Sequence, residues 1–139
     1  MRQAPVMRPM CESDYPKLTV LWSAAGSLQL RDTDTPEALA RFLYRNPASS
    51  FVACAGTRLV GGVLAGHDGW RGYLYHLAVK PDYREKGLGA RLVNAAVEAI
   101  ANEGIPKIHS LVKRDNLIAQ QFWEACGFSL RDDVLVYSR

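Results

Sequence analysis

Cysteines are few in this chain, and none lies near another. They are Cys11, Cys54 and Cys126. An odd number of widely spaced cysteines without a C-x-x-C pair indicates neither a disulfide framework nor a zinc site. We therefore expect reduced thiols, a cytoplasmic protein and no metal centre.

Long apolar runs and a strong charge bias are absent as well. No apolar run approaches 18 residues and the first residues lack the apolar core of a signal peptide, so no membrane association is expected. The 17 Lys and Arg residues against 14 Asp and Glu residues leave a net charge of +3. The sequence contains no basic stripe of the kind that indicates nucleic-acid binding. With 139 residues, 48% of them hydrophobic, and no repeat or linker, the chain is predicted to form one domain over residues 1–139.

Hydrophobic periodicity and turn signals predict an ordered mixture of helices and strands. Strands are predicted at residues 6–9, 51–55, 58–65, 73–79, 107–112, 128–130 and 134–137. Helices are predicted from a Ser13 cap to Ala25, ended by Gly26, and at residues 36–45, 88–103 and 116–126, the last closed by Gly127 in a left-handed conformation. This order of elements predicts an α+β (mixed α/β) fold.

A glycine-containing loop between the fourth predicted strand and a long amphipathic helix carries the strongest functional signal. It has the pattern R-x-x-G-x-G, with Arg84, Gly87 and Gly89 at the named positions. Glycines allow a tight turn and close approach to a ligand, and a helix start offers free N–H groups to an anion. Lys86 and Arg91 add positive charge. The pattern is neither a Walker loop nor a Rossmann fingerprint, and it predicts a phosphate-binding loop.

Two segments resemble signatures of the GNAT acetyltransferase superfamily. The stretch from Leu77 to Gly89, Leu-Ala-Val-x-Pro-x-Tyr followed by R-x-x-G-x-G, resembles its acetyl-CoA pyrophosphate loop, [QR]-x-x-G-x-[GA]. The stretch from Asn116 to Phe128 resembles N-x-x-A-x-x-[FL]-Y-x-x-x-G-[FY]. The segment at residues 66–72 is similar to a loop of one bacterial subgroup. The predicted order of helices and strands is also that of the GNAT fold, so the resemblance covers nearly the whole chain. It implies a GNAT-type fold: a central twisted, mostly antiparallel sheet with one parallel, splayed strand pair, flanked by about four helices.

The resemblance implies acetyl-CoA as cosubstrate. Its pyrophosphate would be held by the loop and helix start, at Arg84, Glu85, Lys86, Gly87, Leu88, Gly89 and Ala90. Its pantetheine arm would meet strand backbone and three side chains, at Leu77, Ala78, Val79, Asn116, Phe122 and Trp123. A backbone N–H near Val79 would stabilise the oxyanion. From the residues alone, Asn116 also fits a helix cap, and Phe122 and Trp123 also fit core packing.

The residues that would move protons are less clear from the sequence. Many superfamily members place a glutamate on the strand before the loop, but residues 73–79 contain no carboxylate. His76 is one candidate general base, because histidine ordinarily titrates near neutral pH, although it also fits a pocket or core histidine whose ring nitrogens are hydrogen-bonded. Asp68 is the other, although Asp-Gly also fits a simple turn. The usual tyrosine acid is replaced by Trp123, whose indole N–H is no useful acid. Water, Tyr75 or Tyr137 are the alternatives.

The sequence therefore predicts an acetyl-CoA-dependent N-acetyltransferase, an acyltransferase that acts on an amine of a small molecule or a protein by direct attack in a ternary complex. The acceptor is expected to meet the first two helices, their connection at residues 26–36 with Asp32 and Asp34, and the 66–72 segment. The alternative is a non-catalytic acyl-CoA-binding or interaction module, which Trp123 and the missing strand carboxylate favour. A homodimer is left open.

Overall fold

A mixed sheet forms the centre of the molecule. The computed structural model describes residues 4–25 and 34–139. Within these residues five strands lie side by side in chain order: β1 Val6–Pro9, β2 Phe51–Ala55, β3 Arg58–His67, β4 Gly72–Val79 and β5 Ile108–Ser110. Neighbouring strands among β1 to β4 are antiparallel, and β5 is parallel to β4. The predicted mixed sheet with one parallel pair is confirmed.

Four helices flank this sheet in the described part of the chain, as predicted. They are α1 Tyr15–Ala24, α2 Pro36–Arg45, α3 Leu88–Asn102 and α4 Leu117–Ala125. Thr35 caps α2, since its hydroxyl accepts a hydrogen bond of 3.1 Å from the Ala38 N–H. Gly104 and Gly127 follow the ends of α3 and α4 with φ angles of +88° and +90°, where residues other than glycine are strained.

The helices bury both faces of the sheet. On one face, α3 contributes Leu92, Ala96 and Ile100 to a core that includes Val60 and Val63. On the other face, α1 and α2 contribute the core side chains Leu18, Leu21, Trp22, Leu39 and Leu43. Because both of its faces are covered, β3 is buried from its second residue nearly to its end.

Two predictions about the chain ends were wrong. Ser13 does not cap α1, because it lies inside a 3₁₀ turn at Glu12–Asp14 and the helix begins at Tyr15. Residues 128–130 and 134–137 form no strands: residues 129–139 are all exposed, and an isolated strand pair is at best marginally stable in water. Strand β5 is also shorter than predicted. The predicted helix stop at Gly26 lies outside the described residues.

A β-bulge interrupts the alternation of side chains along β4. Gly62 pairs with Ala78 and Leu64 with Tyr75, so that two residues of β4, His76 and Leu77, lie opposite one residue of β3. Simple alternation places His76 on the same face as Leu74. Instead, Leu74 packs on the α3 side while the ring of His76 meets Trp22 on the α1 side. The bulge thus turns His76 toward α1.

Candidate active site

Strands β4 and β5 separate after a short parallel pairing. Only Gly72, Tyr73 and Leu74 of β4 pair with β5. The strand then continues to Val79, so its second half borders a gap on the side where β5 has ended. The predicted splayed pair is therefore present, and the gap lies beside the end of β4.

The backbone of Val79 points into this gap. The Lys80 N–H donates to the Val60 carbonyl on β3 at 2.8 Å. Since successive residues of a strand direct their backbone groups to opposite sides, the N–H and C=O of Val79 point away from β3. The side chain of Arg84 confirms this direction, because its Nε donates to the Val79 carbonyl at 2.9 Å. Arg84 thereby ties the start of the glycine loop to the end of β4.

The glycine loop presents an open helix start. Glu85 and Gly87 have φ angles of +62° and +82°, and residues 84–87 are exposed. No side chain caps α3, so the first N–H groups of this helix are available to an anion. A Cβ atom placed on Gly87 would meet nothing within 4 Å. The loop therefore leaves room for a ligand, and the binding of a pyrophosphate there stays a prediction.

Helix α4 approaches the start of α3 at Phe122. A Cβ atom on Gly89 would lie 3.1 Å from Cε1 of Phe122 and 3.9 Å from Cγ2 of Val79. Glycine at this position lets the half-buried phenyl ring approach the α3 backbone. Phe122 therefore lies at the junction of the loop and the end of β4, where the sequence placed a cofactor contact.

Trp123 packs against other hydrophobic side chains. Its ring meets Phe128 edge to face, with centroids 5.0 Å apart, and packs against the core on the α3 side. Core packing, one of the two interpretations of the sequence, is thus its observed environment. Its contact with a cofactor stays a prediction.

Asn116 caps α4. Its Oδ1 accepts a hydrogen bond of 3.0 Å from the Ala119 N–H, as the cap interpretation expects. This hydrogen bond occupies the oxygen of the amide and thereby also fixes the orientation of its NH₂ group. The predicted contact of this amide with pantetheine stays a prediction.

His76 is held by a carboxylate that the sequence analysis did not assign to it. Its Nε2 lies 2.8 Å from Oδ1 of Asp34, and both side chains are about four-fifths buried, with exposed fractions of 20% and 16%. The edge of one ring meets the face of the other between His76 and Trp22, with centroids 4.9 Å apart. His76 has a φ of +52°, which is unusual for a residue with a side chain. No sequence spacing links positions 34 and 76. Asp32, the other acidic residue proposed nearby, lies outside the described residues.

Asp68, the other candidate base, forms a turn. Its Oδ1 accepts 2.8 Å hydrogen bonds from the N–H groups of Arg71 and Trp70. These bonds lower the pKa of Asp68 below its ordinary value and make it a weaker base. The turn precedes Gly72, and the four residue steps along β4 from Gly72 to His76 span about 13 Å. The structure does not bring the two candidates together.

Aromatic side chains line β4 on the side of α2. Tyr73 and Tyr75 stack with centroids 6.0 Å apart, and Phe42 meets Tyr75 edge to face at 6.1 Å. Burial is the largest of the effects that raise the pKa of Tyr75, so this side chain keeps its proton at neutral pH. Tyr137, by contrast, is 89% exposed in the terminal segment.

Two negative findings apply to residues 4–25 and 34–139. None of their helices has the length and apolarity needed to cross a membrane. None of their histidine, cysteine and acidic side chains form a group that could hold a metal ion.

Comparisons with known proteins agree on one family. The profile of the acetyltransferase (GNAT) family matches residues 12–128. An acetyltransferase of Sodalis glossinidius is 30% identical over 134 residues, which are 96% of this chain and 93% of the relative. An N-acetyltransferase from Thermoplasma acidophilum, solved in complex with coenzyme A, superposes with a TM-score of 0.81 at 20% identity, covering 94% of this chain and 92% of that one.

A diaminobutyrate acetyltransferase from Paenibacillus lautus, solved with L-2,4-diaminobutyric acid and coenzyme A, gives a TM-score of 0.74 at 19% identity over 88% of this chain and 74% of that one. These likenesses establish the fold, and the sequence matches extend over nearly the whole chain. The chain therefore belongs to the acetyltransferase (GNAT) family and is an acyltransferase.

Proposed function

We propose that this protein transfers the acetyl group of acetyl-CoA to a primary amine by direct attack in a ternary complex. The observation that carries the proposal is the gap beside the end of β4, which leads directly to the open start of α3. A ligand with an anionic middle and an extended arm fits this arrangement, because the loop offers N–H groups and the strand offers backbone hydrogen-bonding groups.

The chain's own residues suit the cosubstrate in three places. Gly87 leaves open space at the helix start for the pyrophosphate. Val79 directs its backbone into the gap, where an extended arm would run alongside it. Phe122 supplies an apolar surface between the two. Sequence relatives that are named acetyltransferases support the same cosubstrate.

When bound, acetyl-CoA supplies the acetyl group as a thioester: the amine nitrogen bonds to the carbonyl carbon, and the carbon–sulfur bond breaks. The Val79 N–H points toward the side where the carbonyl oxygen would gain negative charge. A single donor of this kind typically contributes about 3 kcal/mol to transition-state stabilisation. This donor belongs to the backbone and is independent of the side chain at position 79.

His76 is the proposed base. An alkyl amine with an ordinary pKa near 10.4 is neutral in only about one part in 10³ at pH 7, so removing its proton is a real part of the barrier. His76 accepts the amine proton, directly or through water, and releases it to solvent. His76 belongs to the half of β4 that pairs with β3 but no longer with β5, which is the half that borders the gap. Asp68 is less suited, since its carboxylate is hydrogen-bonded within a turn.

The leaving thiolate does not require a protein acid. An ordinary thiol has a pKa near 8.5, so the thiolate is only a moderate base and takes its proton from water. Trp123 cannot provide that proton. Its packing against Phe128 agrees with a role in holding α4 in place.

The acceptor is proposed to be a small amine that contacts the aromatic side chains of β4. Tyr73 and Tyr75 offer ring faces to the carbon part of such a molecule, and an ammonium group is attracted to aromatic faces. The structural neighbour solved with diaminobutyric acid acts on a diamine, which supports a small amine as the acceptor class.

A second candidate function is acyl-CoA binding without catalysis. Two features favour it: β4 carries no carboxylate, and tryptophan replaces the usual tyrosine in α4. Both functions require the same cofactor site, so they differ only in turnover.

The test measures release of CoA thiol from acetyl-CoA with a panel of primary amines, alongside CoA binding by calorimetry. We expect turnover with at least one amine, and His76→Gln should lower kcat/KM about 10²-fold with little change in CoA affinity. His67→Gln is the matched control, because His67 also contacts a carboxylate, Glu103 at 3.2 Å, at the other end of the sheet. CoA binding without turnover would favour the binding module.

A further inference from the structure

A carboxylate that the proposed reaction does not use lies against the proposed base. Oδ1 of Asp34 is 2.8 Å from Nε2 of His76, although the two residues are 42 positions apart in the chain. Both side chains are mostly buried. A hydrogen bond between side chains from such distant parts of the chain requires both partners to be held in place.

The structure holds Asp34 from two sides. Its carbonyl oxygen accepts a 2.7 Å hydrogen bond from the Tyr15 hydroxyl at the start of α1. The next residue, Thr35, caps α2 through its side chain. Asp34 is thus fixed between two helices that cover the same face of the sheet.

His76 is held just as firmly. The bulge in β4 directs its side chain toward α1, where the ring meets Trp22, which is 2% exposed. Its φ of +52° is a conformation that persists only where the surroundings impose it. Such backbone strain is concentrated at functional sites, and here it fixes the orientation of the His76 ring.

The pair determines which nitrogen of His76 can accept a proton. An ionised carboxylate only accepts hydrogen bonds, so the neutral imidazole must carry its proton on Nε2 to bond to Asp34. The lone pair is then on Nδ1. When Nδ1 takes the proton of the amine, the resulting imidazolium is stabilised by the negative charge of Asp34.

We propose that Asp34 is a positioning residue for the reaction: it fixes the Nε2–H tautomer and orientation of His76, so that Nδ1 is the atom that receives the amine proton. This inference rests on the proposed function, because it assigns a partner to the proposed base. It adds a residue from the segment before α2, which is remote from the glycine loop and from β4 in sequence.

The first test observes the hydrogen bond without turnover. Proton and nitrogen NMR of the imidazole groups is recorded at about pH 8, where histidine is ordinarily neutral. The His76→Gln variant assigns the His76 signals. We expect a protected Nε2–H proton and an unprotonated Nδ1 in the wild type and in Glu103→Gln, the control for the other histidine–carboxylate pair. Asp34→Ala should lose the protected proton. A proton on Nδ1, or a protected signal that survives in Asp34→Ala, would overturn the proposal.

The second test separates positioning from a merely structural role. Asp34→Asn keeps the size of the side chain, and thermal melting should show that it folds. We expect its kcat for the amine to fall at least about 10-fold, toward the roughly 10²-fold loss expected on removing the base itself, with the KM for acetyl-CoA nearly unchanged. Glu103→Gln should keep wild-type kcat.

In a His76→Ala background, Asp34→Asn should cause no further loss, because Asp34 acts through that ring. A further loss of the same size would show that Asp34 acts without His76 and would overturn the proposal. Turnover that Asp34→Asn leaves unchanged would overturn the positioning role alone. No turnover with any amine would overturn the proposed function and, with it, the catalytic role of the pair.

Discussion

Replacement of Gly87 by aspartate or asparagine gives a direct test of where the pyrophosphate binds. Gly87 has a φ of +82° and precedes the first residue of α3. A Cβ atom there meets no other atom within 4 Å, so either side chain fits without a clash. Asparagine and aspartate tolerate the left-handed conformation better than other residues with a side chain, at a cost of about 1 kcal/mol. The two variants have the same shape and differ in one charge.

The magnitude follows from Coulomb's law. A carboxylate about 6 Å from a phosphate charge, at an effective dielectric constant of about 40, is repelled by about 1.4 kcal/mol. A pyrophosphate carries about two such charges, and each 1.4 kcal/mol is a factor of ten in affinity, so Gly87→Asp should bind CoA about 10- to 100-fold more weakly than Gly87→Asn. The carboxylate also interacts favourably with the helix dipole, by about 0.5 kcal/mol. Gly87→Asp, although it binds CoA more weakly, should therefore be at least as stable as Gly87→Asn.

Calorimetry with CoA measures this difference, and pantetheine, which lacks the pyrophosphate, is the control ligand. Both variants should bind pantetheine equally. The difference for CoA should shrink as salt is raised, because mobile ions screen exposed charges. Equal CoA affinities of the two folded variants would refute the assignment of the pyrophosphate to the start of α3.

Two further predictions concern stability and the leaving group. Burial by itself raises the pKa of Asp14, but hydrogen bonds from Arg8 and the Cys11 N–H outweigh it and hold the pKa below its ordinary value. The ionised Asp14 carboxylate therefore stabilises the fold at pH values above its unfolded pKa of about 3.9. This stabilisation is lost as the pH falls through the lower pKa that Asp14 has in the folded protein. Asp14→Asn should lower the free energy of unfolding by about 1–3 kcal/mol at pH 7, with a smaller difference from wild type in acid, measured by urea unfolding; an equal difference at both pH values would contradict this. Trp123→Phe should keep most of the turnover, whereas removal of a true general acid costs about 10²-fold or more, so a loss of that size at normal CoA affinity would assign Trp123 a chemical role.

The family and the open glycine loop at the start of α3 were predictable because their signals are local. The spacing of Arg84, Gly87 and Gly89 lies within six residues, and the glycines serve the backbone of the segment that contains them. The helices predicted at residues 36–45 and 88–103 match α2 and α3 to within one residue, because helix start and stop signals are also local. Short-range patterns of this kind determine local structure wherever the tertiary context does not compete with them.

The local patterns failed where a competing side-chain contact formed or where no partner covered the segment. Asp14 bonds to Arg8 and to the Cys11 N–H, so the segment at residues 12–14 becomes a 3₁₀ turn and Ser13 is no cap. The terminal apolar residues from Val134 have β-forming side chains, but no described element covers them and no strand forms. Propensity alone does not stabilise a strand, because a strand needs a partner and a covered face.

The sequence by itself determined that this chain is a GNAT-type acyltransferase with an open glycine loop at the start of α3, since those features depend on residues close together in the chain. Only the tertiary structure decided the environment of the candidate base. The bulge in β4 turned His76 toward α1, and the packing of α1 and α2 on the same face of the sheet brought Asp34 to its Nε2. A contact across 42 residues leaves no periodic trace in the sequence, because it depends on how the helices pack and not on the spacing of the residues that meet.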